Sequence, residues 1–204
     1  MNEIFRRPVS QIPQPPGTTQ AGDGLPRRKW TGEDVQRMID AGIVQHGERF
    51  ELIGGDLVAM AAKGNHHETL NSSLNDFWIR VRAADIRVTP ETPLRLDPHY
   101  EPEPEFIVFP AGMKPGDVRG ETVLLVVEIA DSSLSQDHRT KAPLYAAFGV
   151  REYWVINARN RTTTVYREPG PDGYGTRTEV PGDVLLVPLL ARSLAVRLAD
   201  LDSE

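Results

Sequence analysis

The sequence predicts a mixed α/β domain, one central β-sheet flanked by helices, and three observations carry that prediction. Apolar residues recur at +4, +3 and +4 through Leu70, Leu74, Phe77 and Val81, the period of an amphipathic helix. The run VLLVVEIA, Val123 to Ala130, is apolar at almost every position, as in a strand covered on both faces. Helical and strand patterns then alternate along the chain, with helices inserted between hairpins, which favours a sheet with helices packed on it. The chain has 204 residues, 39% of them apolar, enough to bury a core without disulfides or structural metal.

Taken in order, residues 1–29 hold Pro8, Pro13, Pro15, Pro16 and Pro26 with almost no periodic apolar pattern, and read as a flexible proline-rich tail. Residues 30–204 read as one domain. Its first element begins at Thr31, whose hydroxyl can cap a helix, with Asp34 at the capping-box position and Val35, Met38 and Ile39 spaced along one face; Gly42 ends it. Phe50 to Ile53 and Leu57 to Met60 flank Gly54-Gly55, a pair free to adopt positive φ, so a β-hairpin is expected. The strongest helix runs from about Asn65 to Ala84. Ile86 to Thr89 and Leu94 to Leu96, punctuated by Pro90, Pro93 and Pro98, read as strands at a sheet margin.

Phe106 to Phe109 and Val123 to Ala130 are stronger strands, joined by the loop Pro110 to Thr122. A helix is expected from about Ala142 to Phe148, with Pro143 tolerated in its first turn and Gly149 past its end. Strands are expected next at Glu152 to Ile156, Thr163 to Arg167, Tyr174 to Val180 and Val184 to Val187. Alternation places Tyr153 and Val155 on one face and Trp154 and Ile156 on the other, a packing pattern rather than a base-stacking one. Ser193 to Leu201 fits a strand or a short helix equally.

Composition removes several chemistries. The chain has no cysteine, which excludes disulfides, cysteine zinc sites and thiol nucleophiles, and permits a reducing cytoplasm. The longest uninterrupted apolar run, Val123 to Val127, is too short to cross a bilayer, and no apolar segment near Met1 suggests secretion, so a cytoplasmic protein without a membrane partner is expected. The net charge of −6 argues against gripping nucleic acid by bulk electrostatics. That charge is uneven: the first 30 residues carry +3 and the remaining 174 carry −9. Acidity in the folded body fits a cation site or a solvated surface.

Glu128 is the residue that demands a reason, because it stands inside the most apolar strand. A buried ionised carboxylate costs several kcal/mol, roughly, unless it is paired, hydrogen-bonded or metal-bound. Glu105 begins the preceding strand, and a hairpin between the two strands would bring it beside Glu128. Two carboxylates about 4 Å apart repel by roughly 4 kcal/mol at an effective dielectric near 20, and a divalent cation between them reverses that sign. Oxygen-only ligands favour Mg²⁺, with Mn²⁺ as the alternative. The plainer readings are a strand-end Glu128 reaching water or an arginine, and a Glu105 solvated with its neighbours Glu101 and Glu103.

The stretch VVEIADSSLSQDHRTKAPLYAAFGVREYWVIN, Val126 to Asn157, resembles the signature block of the Uma2 family of endonucleases, formerly a domain of unknown function. RFELIGGDLVAM (Arg49 to Met60), the histidine before a helix at His67, and EPEFIVF (Glu103 to Phe109) occur in the family's order and spacing, so the resemblance spans about residues 28 to 201. It implies a restriction-endonuclease-like core of the PD-(D/E)xK class, with metal-binding carboxylates on adjacent strands. It also implies Mg²⁺-dependent cleavage of DNA, and the superfamily's habit of dimerising implies a homodimer. Carried over by position, the family's early glutamate falls on Glu51, its histidine on His67, its strand aspartate on Glu105, its central glutamate on Glu128 and its downstream lysine on Lys141. In this reading Glu51, Glu105 and Glu128 are the metal ligands, Lys141 orients water or offsets charge, and His67 contacts phosphate or shuttles a proton.

This sequence departs from the superfamily pattern at two places. The Pro-Asp motif is Pro104-Glu105, one methylene longer, and the position expected to hold lysine after Glu128 is Ala130, so the lysine's role passes to Lys141 or is absent. Alternatives stay open residue by residue. Glu51 could pair with Arg49, His67 could cap a helix with His66 as a rival, and Lys141 could be solvated in a polar loop. Asp131, Ser132 and Ser133 could line the site or satisfy backbone donors after the strand, the second role being preferred for the serines. His46, His99 and His138 show no metal spacing. DNA contact is assigned to Arg80, Arg82 and Arg87 with help from Arg27 to Lys29. The competing functions are a non-catalytic binding or assembly module on the same fold, and glycoside hydrolysis by two carboxylates, which the 7% aromatic content disfavours.

Overall fold

The computed structural model describes residues 28–45, 47–131 and 133–201. Most of the stretch read as a proline-rich tail, up to residue 27, thus lies outside the described residues, as do His46 and Ser132.

The strands are β1 (Phe50–Ile53), β2 (Asp56–Ala59), β3 (Ile86–Pro90), β4 (Tyr100–Glu101), β5 (Phe106–Pro110), β6 (Leu125–Ala130), β7 (Glu152–Asn157), β8 (Thr163–Gly170) and β9 (Gly173–Val180). A small sheet runs in the order β2-β1-β4, and the main, six-stranded sheet runs β3-β5-β6-β7-β8-β9. Neighbours in the main sheet are antiparallel except β6 and β7, which are parallel with Val126 opposite Tyr153 and Glu128 opposite Val155. Parallel neighbours need a crossover. Here it is helical: α3 (Leu134–Gln136), a π-helical turn over Asp137–Lys141, and α4 (Ala142–Ala147).

The N-terminal elements form as their local chemistry dictates. α1 (Gly32–Asp40) starts at a complete capping box, with Thr31 Oγ1 accepting from the Asp34 N–H at 3.1 Å and the Asp34 carboxylate accepting from the Thr31 N–H at 3.1 Å. Gly54 and Gly55 both take positive φ, 66° and 85°, which closes the β1–β2 hairpin in two residues. α2 (Asn65–Val81) packs on one face of the main sheet.

Period-2 alternation sorts β6 between two cores. Leu125, Val127 and Ile129 join Leu70, Leu74 and Trp78 of α2, whereas Val126 and Ala130 join Leu144 and Tyr145 of α4. Glu128 therefore points to the α4 side of a strand buried on both faces. Tyr153 and Val155 share that side, and Trp154 and Ile156 lie on the other, as the alternation predicts.

Several sequence expectations are corrected. The inner face of α2 is Leu70, Leu74 and Trp78; Phe77 is only partly covered and Val81 is exposed, because Trp78 fills the space against Phe106 with ring centroids 5.3 Å apart and donates its indole N–H to the Leu194 carbonyl. The helix expected to start at Ala142 begins at Leu134. Leu94 to Leu96 and Val184 to Val187 are not strands. The first is held by turn bonds, Leu94 N–H to Pro102 O and Leu96 N–H to Tyr100 O, and the second keeps only a bridge from Leu186 to Val196. Ser193 to Leu201 contains parts of two 3₁₀ turns, Arg192–Leu194 and Leu198–Asp200. Among the described residues no helix is long and apolar enough to cross a membrane.

Candidate active site

The carboxyl end of β6, the entry to β5, the start of α2 and the crossover helix enclose a pocket of about 70 Å³. Its lining includes Glu51, Lys63, His67, Glu105, Glu128, Asp137 and Lys141, so all five site residues expected from sequence meet in one place. The sheet explains two of them directly. Phe106 of β5 stands opposite Val127 of β6, and continuing that antiparallel register sets Glu105 against Glu128.

Lys141 is the centre of the deeper half. Its Nζ lies 2.9 Å from Glu51 Oε1, 2.9 Å from Glu128 Oε1 and 3.7 Å from Asp137 Oδ1. Lys141 is thus a buried residue of the π-turn, not a solvated loop lysine. Tyr145 donates its hydroxyl to Glu128 Oε1 at 3.2 Å, the same oxygen that Lys141 uses, which leaves Oε2 as the oxygen available to the pocket. Glu51 does not pair with Arg49. It turns inward to Lys141 and accepts the Glu103 N–H at 2.9 Å, while Arg49 pairs outward with Glu103 at 2.8 Å. Ser133 Oγ donates to Asp137 Oδ2 at 2.7 Å and lines the pocket, so its hydroxyl serves a carboxylate instead of a backbone donor.

The second half surrounds Glu105. His67 Nε2 meets its Oε1 at 2.8 Å, and Asn71 Nδ2 and Lys63 Nζ donate to its Oε2 at 2.6 and 2.9 Å. His67 is buried one turn into α2 and its Nδ1 has no partner, whereas His66 is exposed, which settles the choice between them. Lys63 also reaches Glu91 Oε1 at 2.6 Å.

Charge divides the two strand acids. Burial pushes the Glu128 carboxyl well above its ordinary value, and the neighbouring Asp137 and Glu51 charges reinforce this against the pull of Lys141. Asp137 is raised as well, by burial. Burial acts to lower Lys141, but Glu128, Glu51 and Asp137 outweigh it and hold the ammonium charged. Three carboxylates around one buried ammonium therefore retain a proton. At Glu105 burial acts upward too, but hydrogen bonds from His67 and Lys63 overcome it and the carboxyl is lowered. Two facing carboxyls with opposite shifts are a proton donor and an ionised base in waiting.

For a divalent cation the donor chemistry fits: hard oxygens from adjacent strands face one pocket, and two lysine ammoniums already stand in for positive charge there. Among the described residues, however, no three acidic or histidine side chains stand close enough to share one ion. The expected ligand trio is split, with Glu51 and Glu128 gathered on Lys141 and Glu105 on Lys63 and His67.

Sequence reasoning missed Lys63, Asn71, Asp137 and Tyr145. Asp137 precedes Lys141 by one helical turn, and a crossover helix extended back to Leu134 exposes that spacing; Lys63 lies in the irregular Ala61-Ala62-Lys63-Gly64 segment and gives no pattern. The arginines assigned to DNA sit elsewhere. Arg80 is at the far end of α2, about 20 Å along the helix from His67 at 1.5 Å per residue, and Arg82 donates to the Ile86 carbonyl to hold the turn into β3.

Residues 33–199 match the family model Uma2, described as "Putative restriction endonuclease". Among solved structures, the chain is similar in fold to a "putative nuclease belonging to DUF820" from Anabaena variabilis, with a TM-score of 0.63 at 19% identity over 85% of this chain and 97% of that one. No curated protein matches.

Proposed function

The chain belongs to the Uma2 family, within the restriction-endonuclease-like PD-(D/E)xK superfamily, and from that premise we propose that it is a divalent-cation-dependent endonuclease hydrolysing DNA phosphodiester bonds at the pocket between β5 and β6. One observation carries the reading: Glu105 and Glu128, on adjacent strands, face the same pocket, and Glu128 keeps one oxygen clear of its lysine and tyrosine donors.

Glu105 and Glu128 would hold Mg²⁺ or Mn²⁺, with Glu51 beside them. When bound, such an ion polarises a phosphoryl oxygen and acidifies water. The chain's own groups do the rest. Lys141 draws Glu51, Glu128 and Asp137 together and offsets their charge, which keeps three acids in a pocket that burial alone would push apart. His67 orients Glu105 through Nε2, a positioning role in place of the proton shuttle expected from sequence. Tyr145, kept a neutral phenol by burial and by the Glu128 charge, fixes Glu128 Oε1 and leaves Oε2 to the pocket.

The test is purified protein on supercoiled plasmid and short single-stranded DNA in Mg²⁺ or Mn²⁺, with EDTA and Glu128→Ala controls. Metal-dependent nicking that disappears in the variant supports the nuclease. The two ammoniums that already neutralise the acids favour one other reading, a non-catalytic nucleic-acid-binding or assembly module. Equal inertness of wild type and Glu128→Ala, with no cation bound in calorimetry, would select it.

A further inference from the structure

Lys63 differs from Lys141 in where its charge can go. Lys141 is enclosed by three carboxylates at the bottom of the pocket. Lys63 stands at the mouth between two: Glu105, whose side chain is 8% exposed, at 2.9 Å, and Glu91, 46% exposed, at 2.6 Å. One ammonium thus has an inner and an outer berth. The outer berth is held in place by backbone geometry. Glu91 has φ +44°, in the left-handed region that non-glycine residues rarely adopt, and its N–H bonds the Glu105 carbonyl at 3.1 Å. The turn after β3 therefore keeps Glu91 beside Glu105.

Glu105 is at once the anchor of Lys63 and a carboxylate assigned to the cation, and two positive charges cannot share its Oε2. We propose that Lys63 is an exchangeable counter-ion: its ammonium neutralises Glu105 in the cation-free chain, yields that carboxylate to a divalent cation, and then presents its charge from the exposed Glu91 side to a backbone phosphate of nucleic acid. This inference rests on the nuclease reading above and deepens it. It supplies, from the pocket mouth, the phosphate-facing cation that Ala130 cannot provide and that the enclosed Lys141 is badly placed to provide.

Calorimetric titration with Mn²⁺ tests the exchange, using wild type, Lys63→Met, Lys63→Arg and Arg49→Met, with thermal unfolding in EDTA as the check on folding. Lys63→Met should bind Mn²⁺ about tenfold more tightly, because the competing ammonium is gone. Arg49→Met removes an equal charge that bonds Glu103 and not Glu105, and should stay within about twofold of wild type. Equal affinity of wild type and Lys63→Met overturns the exchange and leaves the cation site standing, as does equal tightening in Arg49→Met. Absence of Mn²⁺ binding in both wild type and Lys63→Met overturns the exchange and the cation site together. Should Lys63→Met not fold, Lys63→Arg decides: a forked guanidinium grips Glu105 more firmly and should weaken Mn²⁺ several-fold, and unchanged affinity overturns the proposal.

The phosphate half is read by fluorescence anisotropy of a short DNA duplex in Ca²⁺. Lys63→Met should weaken binding and lower the slope of log affinity against log salt by about one phosphate contact. An unchanged slope overturns that half.

Discussion

Glu128 and Glu152 are both buried on the two parallel strands, yet they end in opposite states. Glu152, at the start of β7, has both oxygens occupied: Oε1 accepts from Trp154 Nε1 at 3.0 Å and from Arg167 Nε and Nη2 at 2.9 and 2.6 Å, and Oε2 accepts the Leu189 N–H at 2.6 Å. Glu128, near the end of β6, has donors on one oxygen and two further carboxylates around its only cation. Burial is common to both, so burial does not mark a site. The mark is an acid whose surroundings leave an oxygen open and a charge uncompensated, and it lies at the carboxyl end of the parallel pair, where open α/β sheets place their ligands.

The comparison can be broken most sharply at its closed end. Glu152→Ala strands Arg167, the Trp154 indole and the Leu189 N–H, and should cost about 3–5 kcal/mol in urea unfolding. The protein that remains folded should cleave at the wild-type rate per folded molecule. Lys141→Met leaves Glu51, Glu128 and Asp137 without their shared cation and should cost about 3 kcal/mol, with cleavage lost as well, since this lysine belongs to the open end.

Glu128→Gln should lower cleavage by about a hundredfold or more while changing stability at pH 5 by less than about 1 kcal/mol, because the variant resembles the protonated acid the fold prefers. The pH dependence has a definite sign. A carboxyl raised in the folded state contributes stability that is complete below its ordinary value of 4.5 and is lost as pH rises through the folded value, so wild type should fall relative to Glu128→Gln between pH 5 and 8. Glu105→Gln should show the reverse. The lowered Glu105 contributes above 4.5 and loses its contribution as pH falls through the folded value. Urea unfolding of the three proteins across pH 3 to 8 separates the two signs.

Smaller effects test the borders of the open end. A Cβ added at Gly64 would lie 2.6 Å from Asp131 Oδ2 on the pocket wall, so Gly64→Ala should cost about 1 kcal/mol in thermal or urea unfolding. Arg49→Met, losing a partly exposed pair with Glu103, should change stability by no more than about 0.5 kcal/mol.

How much of the molecule is legible in the sequence depends on the range over which each residue acts. The capping box at Thr31 and the Gly54-Gly55 turn are decided within a few residues, and both form as expected. β6 is marked by composition, and the acid inside it marks the pocket. Periodicity alone favours Phe77 over Trp78 because the +3 and +4 spacings differ by one position, and only the partners across the interface, Phe106 and the Leu194 carbonyl, decide which side faces in. The crossover helix reads short in the sequence because Ser135 to Thr140 is polar and its bonds run partly in π geometry, a pattern with no apolar stripe of its own. Lys63 acquires its place through Glu91 and Glu105, both remote in the chain. Such a pairing exists only after folding.

The π-turn also fixes how this protein can vary in length. Its ring closes from the Ala142 N–H to the Asp137 carbonyl, five residues back, one more than an α-turn spans. Losing any single codon from His138 to Thr140 would let the helix relax to α geometry and rotate its later half by about 100° against its earlier half. Lys141 and Tyr145 would then leave Glu128 while Asp137 stayed behind. The stretch from Glu128 to Tyr145 is thus a counted segment, free to change letters at exposed positions but not to gain or lose one.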